Sequence, residues 1–301
     1  MTLSTGHTAV ITGAASGFGL EACRIATARG MNVVMADVQA DALERAAAEI
    51  SALGGAVLAQ RVDVSKAEQV EALAAATLQR FGAPHFVFNN AGVGGGGLLW
   101  EQSLKDWEWV LGVNLMGVVH GVRAFTPMML AAAAADPAWQ GHIVNTASMA
   151  GLISAPNMGV YNVSKHAVVA LSETLYQDLS LVSEQVQAHV LCPFFVPTGI
   201  HQSERNRPAE FKEVAGPTRS QIIAQAMSDQ AVTRGKLTAA QVAQFVFDAM
   251  DEGRFYIYSH PHALASVQVR LEDIMTPRNP TSPFAAKPEI GEKLRAALRG
   301  G

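Results

Sequence analysis

The chain has 301 residues, 49% of them hydrophobic and 16% charged, with a formal charge of −4. This length and composition specify one large α/β domain or two small ones around a sizeable core, and they exclude an intrinsically disordered chain. The mildly acidic balance, pI about 6.1, carries no electrostatic footprint for nucleic acid or an anionic membrane, and no unbroken apolar run reaches the roughly 18 residues of a membrane span.

The first residues, MTLSTGHTAVITGAAS, have no basic leader region and enter an apolar run almost at once, so a signal peptide is not expected. A strand over 7–12 ends in TGAASGFG, with glycines at 13, 17 and 19, and a helix follows over 17–29. Glycines here allow a tight strand-to-helix turn and close backbone approach to a pyrophosphate at a helix N-terminus. The spacing is G-x-x-x-G-x-G and departs from the generic G-x-G-x-x-G fingerprint. A second strand, 32–36, leads into Asp37, twenty-four residues after Gly13. A carboxylate at that point can accept from adenosine ribose hydroxyls and repels a 2′-phosphate. Neither Ser16 in the turn nor Val38 after the aspartate brings a positive charge, so NAD is expected over NADP.

Helices over 40–53 and 66–81 bracket a third strand, 56–62, and a fourth over 86–89 ends in NNAG. A long helical pattern then runs over 104–135, followed by a strand over 142–146, a helix over 160–183 and a strand over 187–192. After a polar segment, 199–236, come a helix over 239–252 and a last strand over 255–258. Strands alternating with helices predict a parallel sheet covered on both faces. VVMAD and FVFNN lack polar alternation, as strands buried on both sides should. Loops as long as 199–236 inside compact domains are usually lids or binding segments. The tail, 261–301, is expected to pack on the domain or on a neighbouring subunit.

Tyr161 and Lys165 stand one helical turn apart in YNVSK, and Ser148 lies thirteen residues before the tyrosine. A phenol has a reference pKa of about 10, and a lysine at i+4 favours the phenolate. One stretch can thus supply a proton donor, a cation that tunes it and a hydroxyl that aims the substrate oxygen.

Taken together, TGAASGFG, Asp63-Val64, NNAG, Asn114 in GVNLMGV, IVNTAS ending at Ser148, and YNVSK resemble the short-chain dehydrogenase/reductase family in order and spacing over about residues 5–258. The resemblance implies a doubly wound, seven-stranded parallel sheet of Rossmann type in three α/β/α layers, and hydride transfer between NAD(P) and an alcohol or ketone. It implies a cofactor turn of Gly13, Ser16, Gly17, Phe18 and Gly19, with Asp37 on the adenosine ribose and Asp63 and Val64 flanking the adenine. Asn90, Ala91 and Gly92 would border the cofactor and stiffen the sheet. Tyr161 would be the general acid/base, Lys165 would bind the nicotinamide ribose and depress the tyrosine pKa, Ser148 would hold the substrate oxygen, and Asn114 would position a water linked to the lysine. Pro193, Val196 and Thr198 of PFFVPT match a segment that contacts the nicotinamide carboxamide, with Phe194 where the family has glycine and Pro197 before the threonine. A homodimer or homotetramer is implied as well.

Phe194 and Phe195 are read either as core filling or as pocket lining. The apolar residues of 199–236 point to an apolar, bulky alcohol or ketone. A cofactor-sensing regulator and an epimerase or dehydratase on the same fold remain alternatives; the full Asn114, Ser148, Tyr161 and Lys165 set favours the dehydrogenase. His260-Pro-His262 lacks a third metal ligand and reads as a polar turn, and residues 94–97 read as a pocket edge or a turn with unusual backbone angles. Two cysteines, Cys23 and Cys192, suit small buried hydrophobes in a reducing cytoplasm.

Overall fold

Short apolar runs become strands buried on both sides, and the longer amphipathic stretches between them become the covering helices. The computed structural model describes residues 3–300. Its strands are β1 (Thr8–Thr12), β2 (Asn32–Asp37), β3 (Val57–Arg61), β4 (Phe86–Asn89), β5 (Gly141–Thr146), β6 (Val186–Cys192) and β7 (Tyr256–Tyr258). All pair in parallel in the order β3-β2-β1-β4-β5-β6-β7. The order reverses between β1 and β4, where open α/β sheets leave a crevice at the carboxyl ends of the strands.

The helices are α1 (Gly17–Ala28), α2 (Ala40–Ala52), α3 (Ala67–Phe81), α4 (Leu104–Leu111), α5 (Gly117–Ala135), α6 (Gly159–Val182), α7 (Arg219–Thr233), α8 (Ala239–Glu252), α9 (Leu264–Met275) and α10 (Pro288–Arg299). On one face Cys23 of α1, Ile50 of α2 and Phe247 of α8 pack on Ala9 and Ile11 of β1. On the other, Leu73 of α3, Phe125 and Met129 of α5 and Leu175 of α6 pack on Val10, Val87 and Ile143. The strands send successive side chains to opposite faces, so both layers are fed from the same residues of sequence.

Two expectations are corrected. The pattern over 104–135 is not one continuous α-helix, because a π turn, Gly112–Met116, separates α4 from α5, with the Gly117 N–H reaching the Gly112 carbonyl. Segment 199–236 is not an open loop: it forms 3₁₀ turns at Gly199–Asn206 and Ala209–Phe211 and then α7, whose start is fixed by a capping box between Thr218 and Gln221. The tail folds into α9 and α10, and α10 lies against α7 with Leu294 buried. Among the described residues Leu104–Ala135 is the one stretch long and apolar enough to cross a membrane, at a mean hydropathy of 1.3. Its inner side, including Phe125 and Met129, belongs to the core described above.

Candidate active site

The glycine turn follows β1 directly. Gly13 (φ 66°) and Gly17 (φ 54°) occupy the left-handed region, which only glycine enters at little cost. A Cβ on Gly19 would stand 2.2 Å from the Gly13 carbonyl oxygen, so α1 can close onto the strand end only with glycine there. Ser16 takes the N-cap position without bonding its hydroxyl to the first turn of α1. Phe18 packs on the core beneath the turn. The unpaired N–H groups of that turn suit an anion the size of a pyrophosphate.

Asp37 ends β2 and is buried. One carboxylate oxygen accepts from the Ala15 N–H at 3.1 Å, inside the glycine turn, and the other from the Gln39 N–H at 3.0 Å, where α2 begins. The aspartate therefore braces the turn and starts the helix at once. Each oxygen retains acceptor capacity. Asp63, beyond β3, accepts from the Ser65 N–H (3.0 Å) and hydroxyl (2.7 Å), and Val64 is buried where a Cβ on Gly117 would press against it.

Past β4, Asn90 ties three strands together. Its backbone N–H donates to the Thr12 hydroxyl at 2.9 Å, its side-chain amide to the Thr12 carbonyl at 3.0 Å, and it accepts from the Thr146 hydroxyl at 3.3 Å. The Ala91 N–H also donates to the Thr12 hydroxyl, at 3.1 Å. A Cβ on Gly92 would lie 3.4 Å from Asn114 Oδ1 and 3.7 Å from Lys165 Nζ, which puts this strand end beside both side chains.

The π turn carries Asn114 inward. Its side chain pairs with the Val93 backbone, accepting from the N–H at 2.8 Å and donating to the carbonyl at 3.0 Å, and donates to the Ser164 hydroxyl at 3.1 Å. Ser164 in turn donates to the Tyr161 carbonyl at 2.8 Å. Lys165, fully interior, donates to the Thr146 carbonyl at 2.9 Å, and its ammonium lies 5.7 Å from the Tyr161 ring centre. Burial pulls its pKa down to about 8.

Ser148 begins the short turn after β5, where its hydroxyl accepts from the Ala150 N–H at 3.1 Å. Burial pushes the Tyr161 phenol above its ordinary value, while a hydrogen bond with Ser148 pulls it the other way. This differs from the expectation of a phenol depressed by Lys165: in the fold, desolvation of the ring end outweighs the serine.

Beyond β6, the Pro193 carbonyl accepts from the Met149 N–H at 2.9 Å, Val196 is buried on the α1 side, and Thr198 sits where a Cβ on Gly17 would touch it at 3.5 Å. Phe194 lies outside the left-handed region, so the family glycine is dispensable at this backbone position. Its ring is partly exposed, 4.5 Å from that of Phe195 and 5.8 Å from that of His260, and does not fill the core. The glycines at 94–97 serve close approach. A Cβ on Gly96 would stand 2.5 Å from Ala224 Cβ of α7, and Gly97 (φ 125°) also needs the left-handed region.

The fold thus aligns the sequence-predicted residues along the carboxyl edge from β3 to β6, with Asn114 and Lys165 beside Gly92, and Tyr161 next to Lys165 and Ser148. Sequence reasoning missed Thr12, Thr146 and Ser164. All three lie inside or next to the quoted motifs, but as hydroxyl residues they had no readable partner without the fold.

The sequence model of the family described as short chain dehydrogenase matches residues 7–209. A CLA biosynthesis dehydrogenase/reductase of Lactiplantibacillus plantarum is 33% identical over 269 residues, 88% of this chain and 92% of that protein. A 1-deoxy-11-beta-hydroxypentalenate dehydrogenase of Streptomyces exfoliatus is 36% identical over 268 residues, 88% of this chain and 87% of its own. Among solved structures, a short chain dehydrogenase/reductase from Burkholderia phymatum in complex with NAD superposes with a TM-score of 0.91 at 52% identity, covering 95% of this chain and all of that one (100%). With the matched span exceeding half the chain, and the same sheet order and glycine turn underneath it, this protein belongs to the short chain dehydrogenase family.

Proposed function

We propose that the protein is an NAD(P)-dependent oxidoreductase that moves hydride between a nicotinamide cofactor and a secondary alcohol or ketone, with NAD preferred. The observation that carries this reading is the convergence of Tyr161, Lys165 and the Asn114–Ser164 chain beside Gly92, next to a turn that tolerates only glycine at position 19. The residues fit a dinucleotide: Gly13, Ser16, Gly17, Phe18 and Gly19 would hold the pyrophosphate, Asp37 the adenosine ribose, Asp63 and Val64 the adenine edge, and Asn90, Ala91, Gly92, Pro193, Val196 and Thr198 the nicotinamide half. When bound, the dinucleotide supplies the hydride donor or acceptor and, in its oxidised form, a positive ring charge that favours phenolate.

In alcohol oxidation Tyr161 Oη takes the hydroxyl proton; in ketone reduction it returns one to the developing alkoxide. Ser148 Oγ donates to the same oxygen, most strongly where negative charge builds. Lys165 holds its cation next to the reacting centre, anchored by Thr146, and Asn114 would position a water that links the lysine to solvent. An acidic residue at position 37 supports NAD over NADP, as does the NAD complex of the Burkholderia relative.

Residues 1–260 are read as the catalytic unit, 199–236 as its substrate segment for an apolar, bulky alcohol or ketone, and 261–301 as an extension. Exposed Val163, Leu181 and Val182 on α6 suit a homodimer or homotetramer contact, and two free, buried cysteines suit a reducing cytoplasm. The test is absorbance at the NADH band with an alcohol and ketone panel, for the wild type and Tyr161→Phe. Turnover by the wild type, abolished in the variant while NADH affinity stays nearly intact, supports the reading. Near-wild-type turnover in Tyr161→Phe would overturn it.

A further inference from the structure

One buried carboxylate holds both halves of segment 199–236. Asp106, in the first turn of α4, accepts through Oδ1 from Arg207 Nη1 at 2.8 Å, ahead of α7, and through Oδ2 from Gln221 Nε2 at 3.0 Å, on α7 itself. Oδ2 also accepts from the Ser103 N–H at 3.0 Å, closing the cap of α4. A capping aspartate ordinarily faces water. Here Asp106 is 6% exposed and the Arg207 side chain 10%, so both charges depend on each other.

The guanidinium lies 4.3 Å over the Trp109 ring and donates to the Phe211 carbonyl at 3.2 Å, with Glu204 at its Nε, 3.0 Å away. Trp109 belongs to a small apolar cluster with Val93, Val110 and Val160. Val93 lies just past the β4 strand end, and Val160 precedes Tyr161. The same docking seats α7 on the glycines at 96 and 97, and Ser220 stitches it down: its hydroxyl accepts from the Leu98 N–H at 3.0 Å and its carbonyl from Asn157 Nδ2 at 3.1 Å.

We propose that Asp106 is a positioning residue: by tying Arg207 and Gln221 to α4 it holds segment 199–236 closed over the substrate side of the Tyr161 site. This rests on the oxidoreductase reading, because it takes that segment to cover the substrate. The carboxylate touches neither substrate nor cofactor. Its effect travels through the position of α7 and through the Trp109–Val160 contact.

The test compares the full-length wild type with Asp106→Asn and Arg207→Gln. Amide hydrogen exchange over 199–236 should rise about tenfold or more in both variants, with the exchange of β1, β4 and β5 unchanged. Tryptophan emission should shift to the red as the guanidinium leaves Trp109. With the best substrate of the panel, KM should rise about tenfold while kcat stays within about twofold and the KM for NADH stays fixed. Should Asp106→Asn fail to fold, Arg207→Gln leaves the caps of both α4 and α7 intact and carries the same readouts. Unchanged exchange in the segment would overturn the latch, and faster exchange with an unmoved substrate KM would overturn its positioning role. A wild type inert toward the whole panel would overturn the reaction itself, and the exchange measurement would still decide the latch.

Discussion

Lys165 donates to the carbonyl of Thr146 at 2.9 Å, which anchors its ammonium to the end of β5 and not to the tyrosine one turn before it. Burial holds this lysine down at about 8, below its ordinary 10.5. A base whose folded value is depressed gives its full stability only above the unfolded value, and loses it as pH falls through the folded one. At pH 7 the charged lysine therefore costs the fold stability. Lys165→Met should raise the melting temperature at pH 7 by about 2 °C or more while lowering turnover by at least ~100-fold. Calorimetry paired with the NADH assay reads both, and a drop of several degrees would contradict the argument.

Asp37 predicts a mixed phenotype. Its carboxylate accepts N–H groups from Ala15 and Gln39, so Asp37→Ala removes both a brace and a ribose acceptor. The KM for NAD should rise by roughly tenfold or more, the NAD preference over NADP should erode, and stability should fall by about 1 kcal/mol as two partly buried donors lose their partner. Steady-state kinetics with each dinucleotide and urea melts separate the effects. A wild type that already prefers NADP would refute the ribose argument.

At Gly19 the constraint is steric. Alanine there brings Cβ to 2.2 Å from the Gly13 carbonyl oxygen and 2.9 Å from Asn90 Nδ2. The backbone must give way, so Gly19→Ala should cost about 1–3 kcal/mol and lower NADH affinity measured by fluorescence titration. Gly54→Ala is the useful contrast, since nothing lies within 4 Å of a Cβ there, although its φ of 89° carries a backbone cost of its own. Equal NADH affinity in the two variants would sink the steric account.

The far end of the sheet governs acid stability. His142 Nδ1 and His189 Nε2 are 3.0 Å apart between β5 and β6, and burial holds His142 down at about 3 and His189 at about 4. Both stay neutral in the fold and charge when it opens. Their contribution is complete above the unfolded value of about 6.5 and drains away as pH falls toward 4, at up to about 1.4 kcal/mol per pH unit for each histidine. Urea midpoints should fall steadily from pH 6.5 to 4.5, and His142→Gln should flatten that slope. An equally steep slope in the variant would rule the pair out as its source.

Much of this was legible in advance because it is written locally. Glycines at 13, 17 and 19 mark a turn through backbone freedom alone, strands such as FVFN reveal burial by their lack of polar alternation, and YNVSK puts Tyr161 and Lys165 on one helical face. The features that escaped depend on partners far away in sequence. The π turn at Gly112–Met116 is set by Asn114 meeting Val93 and Ser164, contacts that a periodicity scan of 104–135 cannot register. Helix α7 has a polar, weakly patterned sequence, and its support comes from glycines more than a hundred residues earlier. Asp106 is a single carboxylate inside the long helical pattern, and nothing local links it to Arg207, about a hundred residues on. Likewise the direction of the Tyr161 shift comes from burial, which spacing does not encode.

The turn at Gly112–Met116 also makes the site sensitive to chain length as well as to side-chain identity. One residue more or fewer there rotates the downstream helix by about 100° about its axis. Deleting the single codon for Val113 would merge α4 and α5 into one uninterrupted rod and swing Asn114 away from Val93 and Ser164, leaving the glycine turn untouched. Such a protein should still retain dinucleotide on an affinity column yet turn over nothing, and full activity in it would show that the extra residue is an accident of the helix and not a setting of the site.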